Sequence, residues 1–151
     1  MALFLGTFLN RIDRKGRISV PASFRSALNL QGFQGIAAFP AFRHQSIQCA
    51  GLDWIQGLSD RIARIDLFSD EQDDLAATLF ADAHQLAFDS EGRIILPESL
   101  RQHAGIDEAV AFVGLGPRFE IWEPGRWEDH KKQARNRARE QGLTLRQGAA
   151  E

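Results

Sequence analysis

The stretch Asp13-Arg-Lys-Gly-Arg-Ile-Ser-Val-Pro-Ala-Ser-Phe-Arg25 occurs a second time, 76 positions later, as Asp89-Ser-Glu-Gly-Arg-Ile-Ile-Leu-Pro-Glu-Ser-Leu-Arg101. Seven of the thirteen positions are identical, and two more exchange one apolar residue for another. A repeat at a fixed interval indicates that one supersecondary unit has been duplicated. The sequence therefore predicts two copies of a small unit in tandem.

Each copy of the repeat begins with the residues of a tight turn. Asp13 and Gly16 stand three positions apart in the first copy, and Asp89 and Gly92 are their equivalents in the second. An Asp side chain at such a place caps backbone amides, and glycine accepts the positive φ that the turn requires. The apolar residues that follow recur at every second position, which predicts a short strand.

A proline follows each of these predicted strands. Pro21 and Pro97 suit the first position of an α-helix, where the missing N–H would have no partner in any case. The apolar residues behind them are spaced four apart, and this spacing predicts two short helices over 21–28 and 97–104. The residues that are predicted to end these helices are Asn29 and Gly105.

Four further strands and two helical stretches complete the predicted pattern. The strands are predicted at 35–39, 46–50, 109–113 and 119–123, and the helical stretches contain Trp54 and Trp127. Each unit then has the order strand, turn, strand, short helix, strand, strand, long helix. Because a unit of about 45 residues buries too little surface to be stable alone, we expect the two units to share one core. We predict a mainly β fold with α-helices, of the α+β class, built as a pseudo-two-fold pair.

The predicted domain boundaries follow from this pattern. They place a first domain at 7–50, connecting helices at 53–82, a second domain at 83–126, and a C-terminal helix and tail at 127–151. Within the connecting segment, Ser69 and Gln72 have the spacing of a capping box. The acidic residues behind Ser69 suit the positive end of the helix dipole, and a metal site is the alternative interpretation of that cluster. No metal ion or other cofactor is predicted.

Composition limits the class of protein. Hydrophobic residues make up 44% of the 151 residues and charged residues 25%, as in ordinary globular domains. Cys49 is the single cysteine, so an internal disulfide is excluded and a reducing, cytoplasmic environment is expected. No apolar stretch reaches the length of a membrane span, and the apolar N-terminus lacks the features of a signal peptide.

The charge of the chain is unevenly distributed. The formal net charge is −2, yet residues 11–25 carry five basic residues against one acidic residue, whereas residues 53–91 carry ten acidic residues against two basic ones. The basic residues of the first segment are Arg11, Arg14, Lys15, Arg17 and Arg25. A basic patch in an otherwise acidic chain indicates a nucleic-acid contact in the first repeat, and a solvated surface is the alternative.

The doubled pattern Asp-x-x-Gly-Arg-x-x-x-Pro resembles the SpoVT-AbrB, or swapped-hairpin, family of bacterial DNA-binding proteins. The resemblance extends from about residue 6 to about residue 130 and includes the run Leu100-Arg-Gln-His-Ala-Gly105. It implies interlocked β-hairpins, a ring-like homo-oligomer of eight or more chains, and binding to repeated boxes of double-stranded DNA upstream of the protein's own operon. We therefore expect a sequence-specific transcriptional regulator that is cytoplasmic and associated with the nucleoid.

The resemblance also implies which residues contact DNA. Lys15 and Arg17 match the basic pair of the family, and the charge of the turn adds Arg14 and Arg11 to the DNA-binding residues. In the second unit Arg93 matches Arg17. The residues there that replace Arg14 and Lys15 are Ser90 and Glu91. Since a carboxylate repels phosphates, we expect a weaker DNA contact from Arg93.

Several features have more than one interpretation. Arg25 and Arg101 recur in both units, and we expect a structural role for them, such as a salt bridge to Asp13 or Asp89. Five basic residues of the last helix are either a solvated face or a second DNA contact: Lys131, Lys132, Arg135, Arg137 and Arg139. Some phenylalanines are expected at subunit contacts, notably Phe4, Phe8, Phe33, Phe39 and Phe42.

Two other function classes are weighed against a DNA-binding regulator. An antitoxin-like protein-interaction module is the alternative function, and it is disfavoured because the repeats and helices leave no long disordered tail. An enzyme is not expected, because neither copy of the repeat pairs a nucleophile with a base. The histidines are scattered and lack the spacing of metal ligands.

Overall fold

A computed structural model describes residues 2–145, which contain eight β-strands and five α-helices. The first unit contains β1 (Thr7–Arg11), β2 (Arg17–Ser19), α1 (Ala22–Leu28), β3 (Gly35–Pro40), β4 (Ile47–Ala50) and α2 (Leu52–Ile62). After α3 (Asp70–Leu79), the second unit contains β5 (His84–Ala87), β6 (Arg93–Ile95), α4 (Glu98–Ala104), β7 (Ala109–Gly114), β8 (Phe119–Trp122) and α5 (Pro124–Glu140). The α+β class is thus confirmed. Residues 146–151 of the predicted tail lie outside the described range.

The two units exchange strands within one six-stranded antiparallel sheet of order β1-β7-β8-β4-β3-β5. β1 of the first unit pairs with β7 of the second, and β5 of the second pairs with β3 of the first. β4 and β8 pair at the centre. If each of β1–β4 is exchanged with its counterpart among β5–β8, the strand order stays the same. A pseudo-two-fold axis therefore passes between β4 and β8. This arrangement confirms the predicted pair of swapped-hairpin units.

One hydrophobic core joins the units on the face of the sheet that α1 and α4 cover. Phe24 of α1 and Leu100 of α4 occupy equivalent positions of the repeat, and both are buried in this core. The Phe24 ring packs on Phe112 and Phe119 of the second unit, with the Phe119 ring centroid 4.9 Å away. Burial of a side chain of this size contributes about 1.5–3 kcal/mol. The core is therefore built by both units together.

Two phenylalanines that were expected at subunit contacts are buried within the monomer. Phe4 belongs to the core cluster, and Phe39 is buried in β3. Phe4 is held there because its backbone bridges to Gly116, beyond the end of β7. Phe8 and Phe42, in contrast, expose 38% and 65% of their surface. Of the five phenylalanines, Phe4 and Phe39 are therefore core residues of the monomer and not surface residues.

Pro21 and Pro97 precede the two short helices instead of beginning them. Their ψ angles are 138° and 143°, and each occupies the N-cap position of its helix. The helices therefore start one residue later than predicted. α4 ends at Gly105 as predicted, with φ at +65°. Asn29 stays right-handed instead, and the chain continues into a 3₁₀ turn that ends at Gly32.

The connecting segment is helical, and Ser69 caps α3. The Ser69 side chain accepts a hydrogen bond from the backbone N–H of Gln72 at 3.1 Å. The Gln72 side chain donates to the carbonyls of Ile62 and Ile65, so only half of the predicted capping box forms. Among residues 2–145, no three His, Cys, Asp or Glu side chains are arranged to hold a metal ion. No helix in this range has the length and apolar character that crossing a membrane requires.

Candidate nucleic-acid interface

β2 and β6 form a two-stranded antiparallel ribbon that is separate from the six-stranded sheet. The central residues of the two strands, Ile18 and Ile94, lie opposite each other and are buried in the core. Side chains alternate along a strand, so the flanking residues point to the opposite face. The residues on this outward face are Arg17, Ser19, Arg93 and Ile95. The ribbon therefore displays one arginine from each repeat on a single face.

Asp13 holds the turn that carries the basic residues. Its Oδ1 accepts hydrogen bonds from the backbone N–H groups of Lys15 (2.9 Å) and Arg17 (2.8 Å), and its Oδ2 accepts one from Nε of Arg17 (2.6 Å). Gly16 adopts a φ of +80°, and its N–H donates to the Asp13 carbonyl. The hydrogen bond from the backbone N–H of Arg17 lowers the pKa of the Asp13 carboxyl. One carboxylate thus sets both the turn and the direction of the Arg17 side chain.

The second turn repeats this geometry. Asp89 accepts hydrogen bonds from the backbone N–H groups of Glu91 and Arg93, both at 2.9 Å, and from Nε of Arg93 at 2.8 Å. The backbone N–H of Arg93 lowers the pKa of the Asp89 carboxyl in the same way. Gly92 adopts a φ of +77°. The repeat in the sequence is therefore also a repeat of hydrogen bonds.

The two turns are joined to each other through their glycines. The N–H of Val20 donates to the Gly92 carbonyl at 3.1 Å, and the N–H of Leu96 donates to the Gly16 carbonyl at 2.8 Å. Each turn thus binds the end of the ribbon strand from the other unit. As a result, the two turns and the ribbon form one structural element.

Arg25 and Arg101 do not form the predicted salt bridges to the turn aspartates. The Nε of Arg25 donates to the Val20 carbonyl, and the Nε of Arg101 donates to the Ile106 carbonyl, both at 3.1 Å. The aspartates are bound by the arginine that follows each turn glycine, since that residue lies directly across the turn. Both side chains have a structural role, but the predicted partners were wrong.

Three basic side chains of the first turn region are open to solvent. Arg11 at the end of β1, together with Arg14 and Lys15 in the turn, is exposed, and none of the three forms a salt bridge with a residue in the range 2–145. Arg17 differs, because Asp13 holds its Nε and 31% of its side chain is exposed. The region combines solvated cations with one oriented guanidinium.

Glu91 gives the second turn the opposite charge. Its Oε2 lies 3.3 Å from NH2 of Arg93, whose Nε is already bound by Asp89. The pKa of Arg93 is raised, chiefly by the hydrogen bond to Asp89 and further by the charge of Glu91. The equivalent position in the first turn holds Lys15. The two turns therefore share one geometry but differ in electrostatics.

The lowered pKa values of the turn aspartates predict a loss of stability in acid. Because the folded-state pKa of Asp13 lies below its ordinary value, its contribution is present above about pH 4 and is lost as the pH falls through the folded-state value. Asp13→Asn keeps an oxygen for the backbone N–H groups but removes the charge. We expect this variant to be less stable than the wild type at pH 7, with a smaller difference near about pH 3.

Urea denaturation of both proteins at the two pH values measures this difference. Asp82→Asn, a change at an exposed residue after α3, is the matched control and should alter stability little at either pH. If the deficit of Asp13→Asn is as large in acid as at pH 7, the ionised carboxylate is not what stabilises the turn.

Comparison with known proteins assigns the family. The family described as "MraZ protein, putative antitoxin-like" matches residues 3–39 and 79–147. This chain belongs to the MraZ family. The protein named transcriptional regulator MraZ from Rickettsia bellii (strain OSU 85-389) is 46% identical over 147 residues, which cover 97% of this chain and 98% of that protein. The one from Gluconacetobacter diazotrophicus is 45% identical over 157 residues, covering 100% and 99% of the two chains.

Membership of the MraZ family confirms the family assignment that the doubled Asp-x-x-Gly-Arg-x-x-x-Pro motif indicates. The third relative, transcriptional regulator MraZ from Rickettsia akari, is 44% identical over 146 residues, 97% of this chain and 98% of its own. All three relatives bear the name of a transcriptional regulator, and none bears the name of an enzyme. The expectation that this chain is not an enzyme is therefore confirmed by its family.

The basic C-terminal helix of this chain lies on the other side of the sheet from the ribbon. Trp127 of α5 packs against Ala111, Val113 and Trp122, which form a separate cluster from the core. The ribbon contributes its isoleucines to the core on the opposite face. The ribbon and α5 thus pack on opposite faces of the sheet, which favours a solvated face for the helix.

Three residues at the candidate interface are not among those predicted from the sequence. Ser19 and Ile95 share the outward face of the ribbon, and Ile95 exposes 63% of its surface. The Nδ2 of Asn10 donates to the Ser19 carbonyl at 2.6 Å and fastens β1 to the ribbon. The period-two alternation of each strand predicts the face of Ser19 and Ile95, whereas no pattern predicts the contact of Asn10.

Proposed function

We propose that this chain is a sequence-specific DNA-binding transcriptional regulator whose β2–β6 ribbon enters the major groove. Its relatives in the MraZ family are named transcriptional regulators. The observation that supports the proposal is the ribbon itself, which carries Arg17 and Arg93 on one outward face between two rigid turns. The major groove is wide enough to admit a two-stranded β-ribbon, and base edges are read there.

The residues of the first turn divide into two roles. Arg14 and Lys15 at its tip, with Arg11 on the flanking strand, neutralise phosphates and supply affinity that does not depend on sequence. Arg17 reads a base, because Asp13 fixes its Nε and leaves the terminal nitrogens for the O6 and N7 of a guanine. Asp13 is a positioning residue in this scheme.

A homo-oligomer that binds repeated boxes upstream of its own operon completes the proposal. β1 is an edge strand of the sheet, and apolar residues on and before it expose more than half of their surface. These residues are Leu3, Leu5 and Leu9, at 61%, 65% and 68% exposure. An apolar edge strand favours association with another chain. Several copies of one small basic patch could then engage several boxes at once.

Substitution of the two ribbon arginines tests the DNA contact. Arg17→Ala should weaken binding to the upstream DNA by about 1–3 kcal/mol per engaged site, and Arg93→Ala should weaken it less. Fluorescence anisotropy with a labelled upstream fragment measures both, and a random fragment of equal length measures the sequence-independent part. Arg64→Ala removes an exposed arginine that follows α2 and belongs to neither repeat, and it is the matched control. Equal losses for the two ribbon variants would contradict the assignment.

Removal of Glu91 should strengthen DNA binding. Glu91→Gln frees NH2 of Arg93 and takes away a negative charge, and we expect a gain of about two- to fivefold, the range of an exposed ion pair. The slope of log affinity against log salt concentration should become steeper by about 0.9, the value for one additional phosphate contact. A second series compares Arg93→Ala with the double variant Arg93→Ala, Glu91→Gln. A gain of the same size in that series would mean that Glu91 acts on DNA directly and not through Arg93.

An antitoxin-like interaction module is the alternative function, and it agrees with the words "putative antitoxin-like" in the description of the matching family. The two functions differ in what the pure protein binds. A preference for upstream DNA over random DNA supports the regulator. If the protein binds both fragments equally weakly, the DNA proposal fails and a protein partner is the remaining alternative.

A further inference from the structure

A cavity of about 510 Å³ lies on the face of the sheet opposite to the core. Trp54 in the first turn of α2 and Trp127 in the first turn of α5 both line it. Gln48 and Glu120 also line it, and they lie opposite each other in the central β4–β8 pair. Because the pseudo-two-fold axis passes between these strands, the cavity lies on the axis of the duplication.

The acceptor groups of the cavity are already occupied. Glu120 is 6% exposed, and its Oε1 accepts hydrogen bonds from Nε1 of Trp122 (2.7 Å) and Oγ of Ser46 (3.1 Å). Its Oε2 accepts one from NH1 of Arg118 at 2.9 Å. The same NH1 donates to Oε1 of Gln48 at 2.8 Å. A ligand therefore finds no unused carboxylate or amide oxygen on these two residues.

The cavity retains unused donors and positive charge. Nε and NH2 of Arg118 donate no hydrogen bond to the residues that the structure describes, and Arg43 is exposed and forms no salt bridge with them. Two guanidinium groups thus stand against the single carboxylate of Glu120. The remaining walls are largely apolar and include Phe39, Phe42, Trp54, Leu58, Leu79, Leu115 and Trp127.

We propose that this cavity binds a small amphipathic organic anion, with its apolar body between Trp54 and Trp127 and its anionic group on Arg118 and Arg43. A guanidinium pairs well with a carboxylate, sulfonate or phosphate group, and aromatic walls take up an apolar body. The volume lies within the range of small-molecule sites. The cavity and the ribbon lie on opposite faces of the sheet, so the two sites are separate and the proposal does not rest on DNA binding.

Two fluorescent probes of matched shape test the site. 8-Anilinonaphthalene-1-sulfonate is an aromatic anion, and N-phenyl-1-naphthylamine has the same aromatic body without the sulfonate. We expect saturable binding of the sulfonate at one molecule per chain, with quenching of tryptophan emission and about tenfold higher affinity than for the neutral probe. In Arg43→Ala this preference should shrink, because one of the two cations is gone. A preference that persists unchanged, or no saturable binding, would overturn the proposal.

A variant that fills the cavity locates the binding site without disturbing the buried network. Ala134 of α5 lines the cavity, and Ala134→Phe should reduce the affinity for the sulfonate by about tenfold or more through lost space. Ala138→Phe adds the same side chain one turn further along, at an exposed position outside the lining, and is the matched control. Equal binding by both variants would place the probe on another surface, or on a second copy of the chain, and would refute the site.

Discussion

A DNA fragment that carries several boxes should bind this protein about 10²–10⁴ times more tightly than a fragment of equal length that carries one box. Each chain offers few contacts, because the basic residues at the first turn are confined to Arg11, Arg14, Lys15 and Arg17. A single engaged turn therefore binds weakly. Once one chain of an oligomer is bound, its neighbours face the remaining boxes at a high effective concentration, and their contacts add without a new loss of translational freedom.

A salt titration separates this effect from a general attraction to long DNA. Each phosphate contact contributes about −0.9 to the slope of log affinity against log salt concentration, so the multi-box slope should be several times the one-box slope. Light scattering should give a mass several times 16.9 kDa. A monomeric mass, or equal slopes and affinities on the two fragments, would show that chains act singly.

A variant of the edge strand isolates the contribution of the oligomer. Leu9 is 68% exposed on β1, and Leu9→Glu places a charge where we propose a subunit contact. This variant should lose most of the multi-box advantage while its affinity for one box stays unchanged. Arg17→Ala, in contrast, should weaken binding to both fragments and leave the mass of the oligomer unchanged. If Leu9→Glu leaves the mass and the multi-box affinity intact, the subunits meet elsewhere.

Phe24→Ala should destabilise the fold by about 3–5 kcal/mol, the range for deletion of a buried phenylalanine. Phe24 is 1% exposed, and its ring packs on Phe4 and on two phenylalanines of the second unit. The substitution leaves a cavity where the two units meet, so both units should lose stability together. Urea denaturation followed by tryptophan fluorescence measures the change, since Trp54 lies in the first unit and Trp122 and Trp127 lie in the second.

Phe42→Ala is the control for this prediction. Phe42 is 65% exposed, and a surface substitution of this kind changes stability by about 0.5 kcal/mol or less. Leu100→Ala, at the equivalent position of the second repeat, should cost about 2–5 kcal/mol. A loss for Phe24→Ala no larger than that for Phe42→Ala, or two separate unfolding transitions in the fluorescence, would contradict a core shared by the two units.

Much of this fold can be predicted from the repeat, because its signals act over a few residues. The Asp, Gly and Arg of each turn stand within four positions of one another, and their spacing alone allows the hydrogen bonds that Asp13 and Asp89 accept. The prolines mark the short helices to within one residue. For Arg25 the predicted partner was wrong. The charge pattern indicates an aspartate as the partner, but the nearer backbone carbonyl of Val20 accepts the hydrogen bond.

The sequence by itself determined the duplicated unit, the turn chemistry and the charge difference between the two copies, since all three depend on neighbouring residues. Only the tertiary structure decided that β2 pairs with β6 and that Arg17 and Arg93 therefore share one face. It likewise decided that Trp54 and Trp127 meet at one cavity. Contacts of this kind join residues more than 70 positions apart. These contacts form because they bury the common core and because the strands pair along the edges that remain free. The spacing of neighbouring residues predicts neither of these conditions.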